Sequence, residues 1–183
     1  MQEQEKMLNG DWYFGFDEEL VSQREQAKDL CFLFNQTRPS DRNKRLEILK
    51  QLIGNLGENS WIESDFYCDY GSHITIGDNF YANHHCIILD PAPVTIGNQV
   101  LLGPNVGLYT AGHPLDRQAR VKGYEYAKPI SIGNDVWIGG HVCIMGGVTI
   151  GSHVVIGAGS VVTKSIPDNV LAYGNPCKVM KII

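Results

Sequence analysis

A mainly β fold, a parallel β-helix wound from hexapeptide repeats, is predicted by three features of this chain. Ile132, Ile138, Ile144, Ile150, Ile156 and Val162 follow one another at a spacing of six. Glycine follows four of them directly, at Gly133, Gly139, Gly151 and Gly157. A second set, Val136, Val142, Val148, Val154, Ser160 and Ile166, trails the first by four positions. Neither a helix, with about 3.6 residues per turn, nor a strand, alternating about every 2, produces that period. A repeat of about six residues marks a β-helix.

Each hexad can supply one short strand and one turn. Its aliphatic points into a prism, and glycine or an Asn-Asp pair takes the tight corner that other residues resist. Three hexads make one coil, and stacked coils bury a continuous aliphatic column. Spacing alone leaves the handedness open. The same register appears at Tyr70, Ile76, Ala82 and Ile88 and, after a step of eight, at Ile96, Leu102 and Leu108, for thirteen hexads in all. Between Leu108 and Ile132 the column positions fall on Pro114, Arg120 and Tyr126, which cannot all fill an aliphatic interior. Residues 109–131 must therefore leave the prism as a loop, and they display His113. Long excursions from rigid scaffolds are where function tends to sit.

Two helices precede the repeats. DEELVSQREQAKDLCFLFN, from Asp17, places Leu20, Arg24, Ala27, Leu30 and Phe34 at helical spacing with acids in the first turn. Pro39 breaks the chain. SDRNKRLEILKQLIG then offers Ser40 as N-cap, carries Leu46, Leu49, Leu52 and Ile53, and stops at Gly54. The expected organisation is a helical cap over residues 1–60 and a β-helix over 61–183, packed as one unit.

A chain of 183 residues, 43% hydrophobic, suits one domain burying roughly 70% of its unfolded surface. No apolar run approaches the ~20 residues of a membrane span, and MQEQEKMLNG lacks the apolar centre of a signal peptide. A cytoplasmic location is expected, without a membrane partner. Cys31, Cys68, Cys86, Cys143 and Cys177 are odd in number and form no CxxC, which argues against a disulfide framework or a zinc ribbon. The net charge of −5 argues against nucleic-acid binding. From Ser160 to Ile183, however, Lys164, Lys178 and Lys181 face a single acid, Asp168, so a small polyanion could bind there.

The segments YGSHITIGDNFYAN, ILDPAPVTIG, YTAGHPLD, EYAKPISIGNDVWIGG, GAGSVVTKSIPDNV and GNPCKV resemble the maltose and galactoside O-acetyltransferases of the left-handed β-helix acyltransferase superfamily. The likeness runs over nearly the whole chain. It implies a left-handed prism that assembles as a homotrimer, with acetyl-CoA in the cleft between neighbours and a sugar hydroxyl acetylated there. His113 matches the catalytic histidine, displayed among Thr110, Gly112 and Pro114. Asp17, Asp69 and Asn83 match acceptor-binding positions, with Asp90 nearby. Asn83, Gly140, Ala158, Thr163, Lys164, Lys178 and Lys181 match the cofactor site, and Trp137 would line the pantetheine route. Some relatives carry serine at the positions of Asp69 and Gly140, an acid at Pro91, and arginine at Lys178 and Lys181, where lysine gives a point charge instead of a fork.

A sugar hydroxyl is a poor nucleophile and a thioester is already activated, so a base must remove one proton. Neutral imidazole, with an ordinary pKa of ~6.5, suits His113 to that task. A backbone N–H near Gly140 is the expected oxyanion donor, and Glu125, in the same loop, is the expected holder of the second imidazole nitrogen or a contact for acceptor. No metal is required. His73, His84, His85, His141 and His153 lack the spacing of a zinc hydratase and read as turn or surface residues, with His84 or His85 in reach of acceptor. The competing readings are another acceptor (an oligosaccharide, an antibiotic hydroxyl or an amino sugar) and a non-catalytic trimeric scaffold.

Overall fold

The computed structural model describes all residues, Met1–Ile183. Its β-helix has three parallel faces. The first face stacks Asn55–Leu56, Ile74–Ile76, Val94–Ile96, Ile130–Ile132 and Thr149–Ile150. The second stacks Trp61–Ile62, Tyr81–Ala82, Leu101–Leu102, Trp137–Ile138, Val155–Ile156 and Val170–Gly174, and closes with the antiparallel strand Cys177–Ile182. The third stacks Tyr67–Cys68, Ile87–Leu89, Gly107–Tyr109, Cys143–Met145 and Val161–Val162.

The registers align the interior. Leu56, Ile76, Ile96, Ile132 and Ile150 form one inward column, Ile62, Ala82, Leu102, Ile138, Ile156 and Ala172 the next, and Cys68, Ile88, Leu108, Ile144 and Val162 the third. Apart from the half-buried Leu56 these side chains are buried. Each buried aliphatic contributes about 1.5 to 3 kcal/mol relative to exposure. Tyr70 is not in the column: Cys68 pairs with Ile88 in its place. Tyr70 packs instead with Met7, Tyr13 and Leu20 in a separate cluster. The prism also starts earlier than position 61, because Asn55–Leu56 already pairs with Thr75–Ile76.

Three residues before each column position of the second and third faces the backbone turns left-handed. Asn59, Asp65, Asn79, His85, Gln99, Asn105, Asp135, His141, His153 and Asn169 have φ between 54 and 65. Short polar side chains tolerate that conformation best. His85, His141 and His153 are thus corner residues, which accounts for half of the chain's six histidines. The corner between the first and second faces is tied by side chains. Asp78, Asn98, Asn134, Ser152 and Asp168 each accept the N–H of the residue one coil back: Glu58, Asp78, Asn98, Asn134 and Ser152, at 2.7 to 3.0 Å. A Cβ on Gly97 would lie 2.6 Å from the Gly133 carbonyl oxygen, so glycine here reflects close approach of successive coils.

The cap comprises α1 (Glu3–Asn9), α2 (Glu18–Gln36) and α3 (Arg42–Leu52). The Asp17 carboxylate caps α2 by accepting from the N–H groups of Glu19 and Leu20. The cap of α3 is Asp41, one residue past the expected Ser40, accepting from Lys44 N–H. Asp41 fits because it stands directly before the first helical residue. Arg45 fastens this helical pair to the prism. It is 1% exposed and donates to the carbonyls of Phe34 and Thr37 at the end of α2 and of Ile62 in the first coil, with its guanidinium 4.0 Å from the Phe34 ring centroid. A cation is favoured at a helix C-terminus, where carbonyls point outward. No helix is long and apolar enough to cross a membrane.

Candidate functional site

All of the irregularity of the prism collects at one corner, between the third face and the first. The column steps from Cys68 to Ile76 and from Ile88 to Ile96 are eight, and from Leu108 to Ile132 twenty-four. Three successive coils push extra residues out at the same edge, and the insertions bond to one another. Asp90 Oδ1 accepts from the N–H groups of Asp69 (3.1 Å) and Tyr70 (2.8 Å) one coil back. His73 Nδ1 lies 2.7 Å from the Asp90 carbonyl oxygen. The Thr110 hydroxyl donates to the Leu89 carbonyl at 2.9 Å and accepts from Ala92 N–H at 3.1 Å.

This corner holds poorly solvated carboxyls. Asp90 is fully buried and its Oδ2 has no partner. Burial raises its pKa, against the pull of the Tyr70 N–H bond and of His73. Asp69 is pushed up to about 6, first by burial and then by the neighbouring Asp90, while Arg24 opposes. Arg24, from α2, donates to the Tyr70 hydroxyl at 2.7 Å and to the Gly15 carbonyl at 2.6 Å. Burial lifts Tyr70 to about 12 in spite of that bond.

The excursion is ordered. Ala111–Gly112 and Tyr124–Ala127 pair antiparallel, and Tyr13–Phe14 from the N-terminal segment adds a third strand. Between them α4 (Arg117–Val121) is capped by Asp116. Ala111 pairs with Ala127 and Gly112 with Tyr126, and His113 follows directly after the last paired residue of its strand. On the other side of the same strand Tyr13 pairs with Glu125. His113 is exposed and makes no hydrogen bond within the chain. The Glu125 carboxylate accepts from the Tyr13 hydroxyl at 2.8 Å rather than from the imidazole.

Among the other acceptor candidates, Asp17 serves as the α2 cap through one oxygen. Asn83 is half-buried just past the second face, its Oδ1 accepting from the N–H of His84. Of the cofactor candidates, Trp137 is 57% exposed beside Leu101, with which it lines an open groove of about 410 Å³ together with Asn79, Gln99, Asp135 and Val136. Gly140 and Ala158 occupy equivalent corner turns, and their N–H groups donate to no protein acceptor. That contrasts with the opposite corner, where side chains take the corresponding N–H. Thr163, Lys164, Lys178 and Lys181 are exposed beyond the last complete coil, and the three lysines form no ion pair. Lys178 and Lys181 lie on the terminal strand, opposite Tyr173 and Leu171. Tyr13 carries no signal in the sequence, and His73 reads there as a turn or surface residue. Arg24 fell on the helical stripe and read as packing, and nothing local marks the partnership between Tyr13 and residues more than a hundred positions away.

A helical cap, a hexapeptide prism and an ordered excursion displaying one histidine define a hexapeptide-repeat acetyltransferase. The maltose acetyltransferase hexapeptide capping motif matches residues 6–57, and the bacterial transferase hexapeptide (six repeats) matches residues 129–164. The galactoside O-acetyltransferase of Escherichia coli K12 is 47% identical over 179 residues, 98% of this chain and 88% of that protein. The crystal structure of a maltose O-acetyltransferase from Clostridium difficile 630 is 53% identical and superposes with a TM-score of 0.99, covering 100% of this chain and 98% of that one. A hexapeptide-repeat acetyltransferase of Vibrio cholerae O1 biovar eltor, solved with acetyl coenzyme A, is 41% identical with a TM-score of 0.92 over 100% and 98% of the two chains. The chain belongs to the maltose and galactoside O-acetyltransferase family, and its prism is a left-handed parallel β-helix.

Proposed function

We propose that the protein transfers the acetyl group of acetyl-CoA to a hydroxyl of a sugar such as maltose, glucose or a galactoside, with His113 as general base. The observation that carries this reading is the exposed, unpartnered imidazole at the lip of a corner whose carboxyls are partly desolvated. His113 takes the hydroxyl proton as the sugar oxygen attacks the thioester carbonyl. The tetrahedral oxyanion accepts a hydrogen bond from an open backbone N–H, for which Gly140 is suited. Collapse breaks the C–S bond, the imidazolium protonates the departing thiolate, and the sugar ester and CoA result. Asp69 and the second oxygen of Asp17 accept from sugar hydroxyls, with Asn83 and Asp90 framing that pocket. Trp137 flanks the pantetheine, Ala158 N–H and Thr163 meet its amides, and Lys164, Lys178 and Lys181 meet the phosphates.

We further propose a cytoplasmic homotrimer. The outward row of the first face is polar, with Asn55, Thr75, Thr95, Ser131 and Thr149. The outward rows of the other two are apolar, including Trp61, Tyr81, Leu101 and Trp137 on the second and Tyr67, Ile87 and Val161 on the third. Contiguous apolar surface marks interfaces, and three prisms can each set a second face against a neighbour's third.

The test is thiol release from acetyl-CoA over a panel of glucose, maltose, galactosides and amino sugars, together with the solution mass. His113→Ala is expected to lose ~10² to 10⁴-fold in kcat with one sugar as acceptor. An active wild type matched by His113→Ala would remove His113 as base. CoA binding without turnover on any acceptor would favour the scaffold reading, and a monomeric mass would remove the site between subunits.

A further inference from the structure

The N-terminal strand takes no part in the chemistry above, yet it clasps the excursion at Glu125. Tyr13 is fully buried, and its hydroxyl donates to Glu125 Oε2 at 2.8 Å. Two residues on, a Cβ at Gly15 would lie 2.7 Å from both Cδ and Oε1 of Glu125, so the Gly15 backbone packs directly against the carboxylate. Gly15 is itself fixed: its N–H donates to the Gly123 carbonyl at 3.0 Å, and its carbonyl accepts from Arg24 at 2.6 Å. A glutamate side chain has several rotatable bonds, and this clasp removes most of that freedom.

We propose that Tyr13 and Gly15 are positioning residues for the base: the N-terminal strand holds the Glu125 carboxylate in the row that faces His113, where its charge steadies the imidazolium formed during transfer. The proposal rests on His113 being the base. Residues directly opposite on antiparallel strands point to the same face; the ladder runs from Ala111–Ala127 to Gly112–Tyr126, and we infer that its continuation by one step sets His113 beside Glu125. A nearby carboxylate favours the charged form of an imidazole. Around Glu125 stand Tyr13 from the N-terminal strand, Arg24 from α2, and Asp69 and Tyr70 from the first insertion, with Asp90 behind them. Asp69 and Asp90 lie on the prism side of the row, whereas Tyr13 bonds the Glu125 carboxylate directly. Tyr13 is the group through which the cap sets the carboxylate.

The decisive experiment measures kcat and KM against pH, with the acceptor that gives turnover, for wild type, His113→Ala, Glu125→Gln, Tyr13→Phe and Gly15→Ala. Tyr13→Phe deletes the hydroxyl alone. Gly15 is outside the left-handed region, so Gly15→Ala adds a methyl that meets only a movable carboxylate and retains the fold even where Tyr13→Phe does not. Both are expected to lower kcat roughly tenfold, a part of the ~10² to 10⁴-fold that proton transfer contributes, with KM for acetyl-CoA unchanged. The kcat profile against pH departs from wild type in both and in Glu125→Gln. Wild-type kcat and a coincident pH profile in folded Tyr13→Phe and Gly15→Ala would overturn the positioning role while an inactive His113→Ala keeps the base. An active His113→Ala would remove the base, and the positioning role with it.

Discussion

Two corners of the same prism behave in opposite ways. At the corner between the first and second faces every coil is alike, and the Asp, Asn and Ser ladder takes up the N–H group of each turn. At the corner between the third and first faces three successive coils bulge. There the chain leaves Asp90 Oδ2 without a partner, Asp69 near 6 and His113 without any bond. A corner that satisfies its own donors is rigid and chemically silent. Capacity for chemistry arises where the repeat is interrupted and polar groups are desolvated faster than they are paired.

The largest effect that would sharpen this contrast concerns Asp69. A carboxyl whose pKa is higher folded than unfolded stabilises the fold while it is protonated. For Asp69 that contribution is complete below its ordinary 3.8 and is lost as pH rises through about 6. Asp69→Asn is therefore expected to gain on wild type by up to ~3 kcal/mol between about pH 4 and pH 7 in urea unfolding. Parallel stability curves would mean that the inserted corner is as well solvated as the regular one.

Glycine substitutions come next. Gly97→Ala sets a methyl against the Gly133 carbonyl oxygen of the following coil. A cost of about 1 to 3 kcal/mol in thermal unfolding is expected, with the activity of folded molecules retained. Gly15→Ala at the excursion should cost far less stability and far more activity. Equal melting temperatures for the two would break the distinction between a corner packed backbone to backbone and one packed against a side chain.

The smallest effect is at a single rung. Asn98→Ala frees the exposed N–H of Asp78 and should cost about 1 kcal/mol, without change in kcat. A loss of activity there would tie the ladder to catalysis.

Much of the architecture was legible because the repeat is covalent in spacing. The columns through Ile132 to Val162, and the departure of residues 109–131, follow from counting. The first coil departs from the spacing rule, which puts Tyr70 in the column, whereas Cys68 holds it and the step of eight precedes Ile76. Leu56, Ile62 and Cys68 form a weaker pattern than an isoleucine run, and a cysteine gives no aliphatic signal. Asp41 instead of Ser40 at α3 was a choice between adjacent good caps. The histidines at 85, 141 and 153 were legible as turn residues, since each precedes a column position by three.

By itself the sequence determined the coil period, the inward residues, the site of the excursion and the prominence of His113, because each is set by spacing along one strand of chain. Only the tertiary structure decided that three insertions stack at one edge, that Asp90 bonds the backbone of Asp69 and Tyr70, and that Tyr13 reaches Glu125 across 112 positions. Those contacts depend on which coil lies beside which and on how the N-terminal segment returns to the loop. Burial and pairing between distant residues leave no local periodicity from which they could be read.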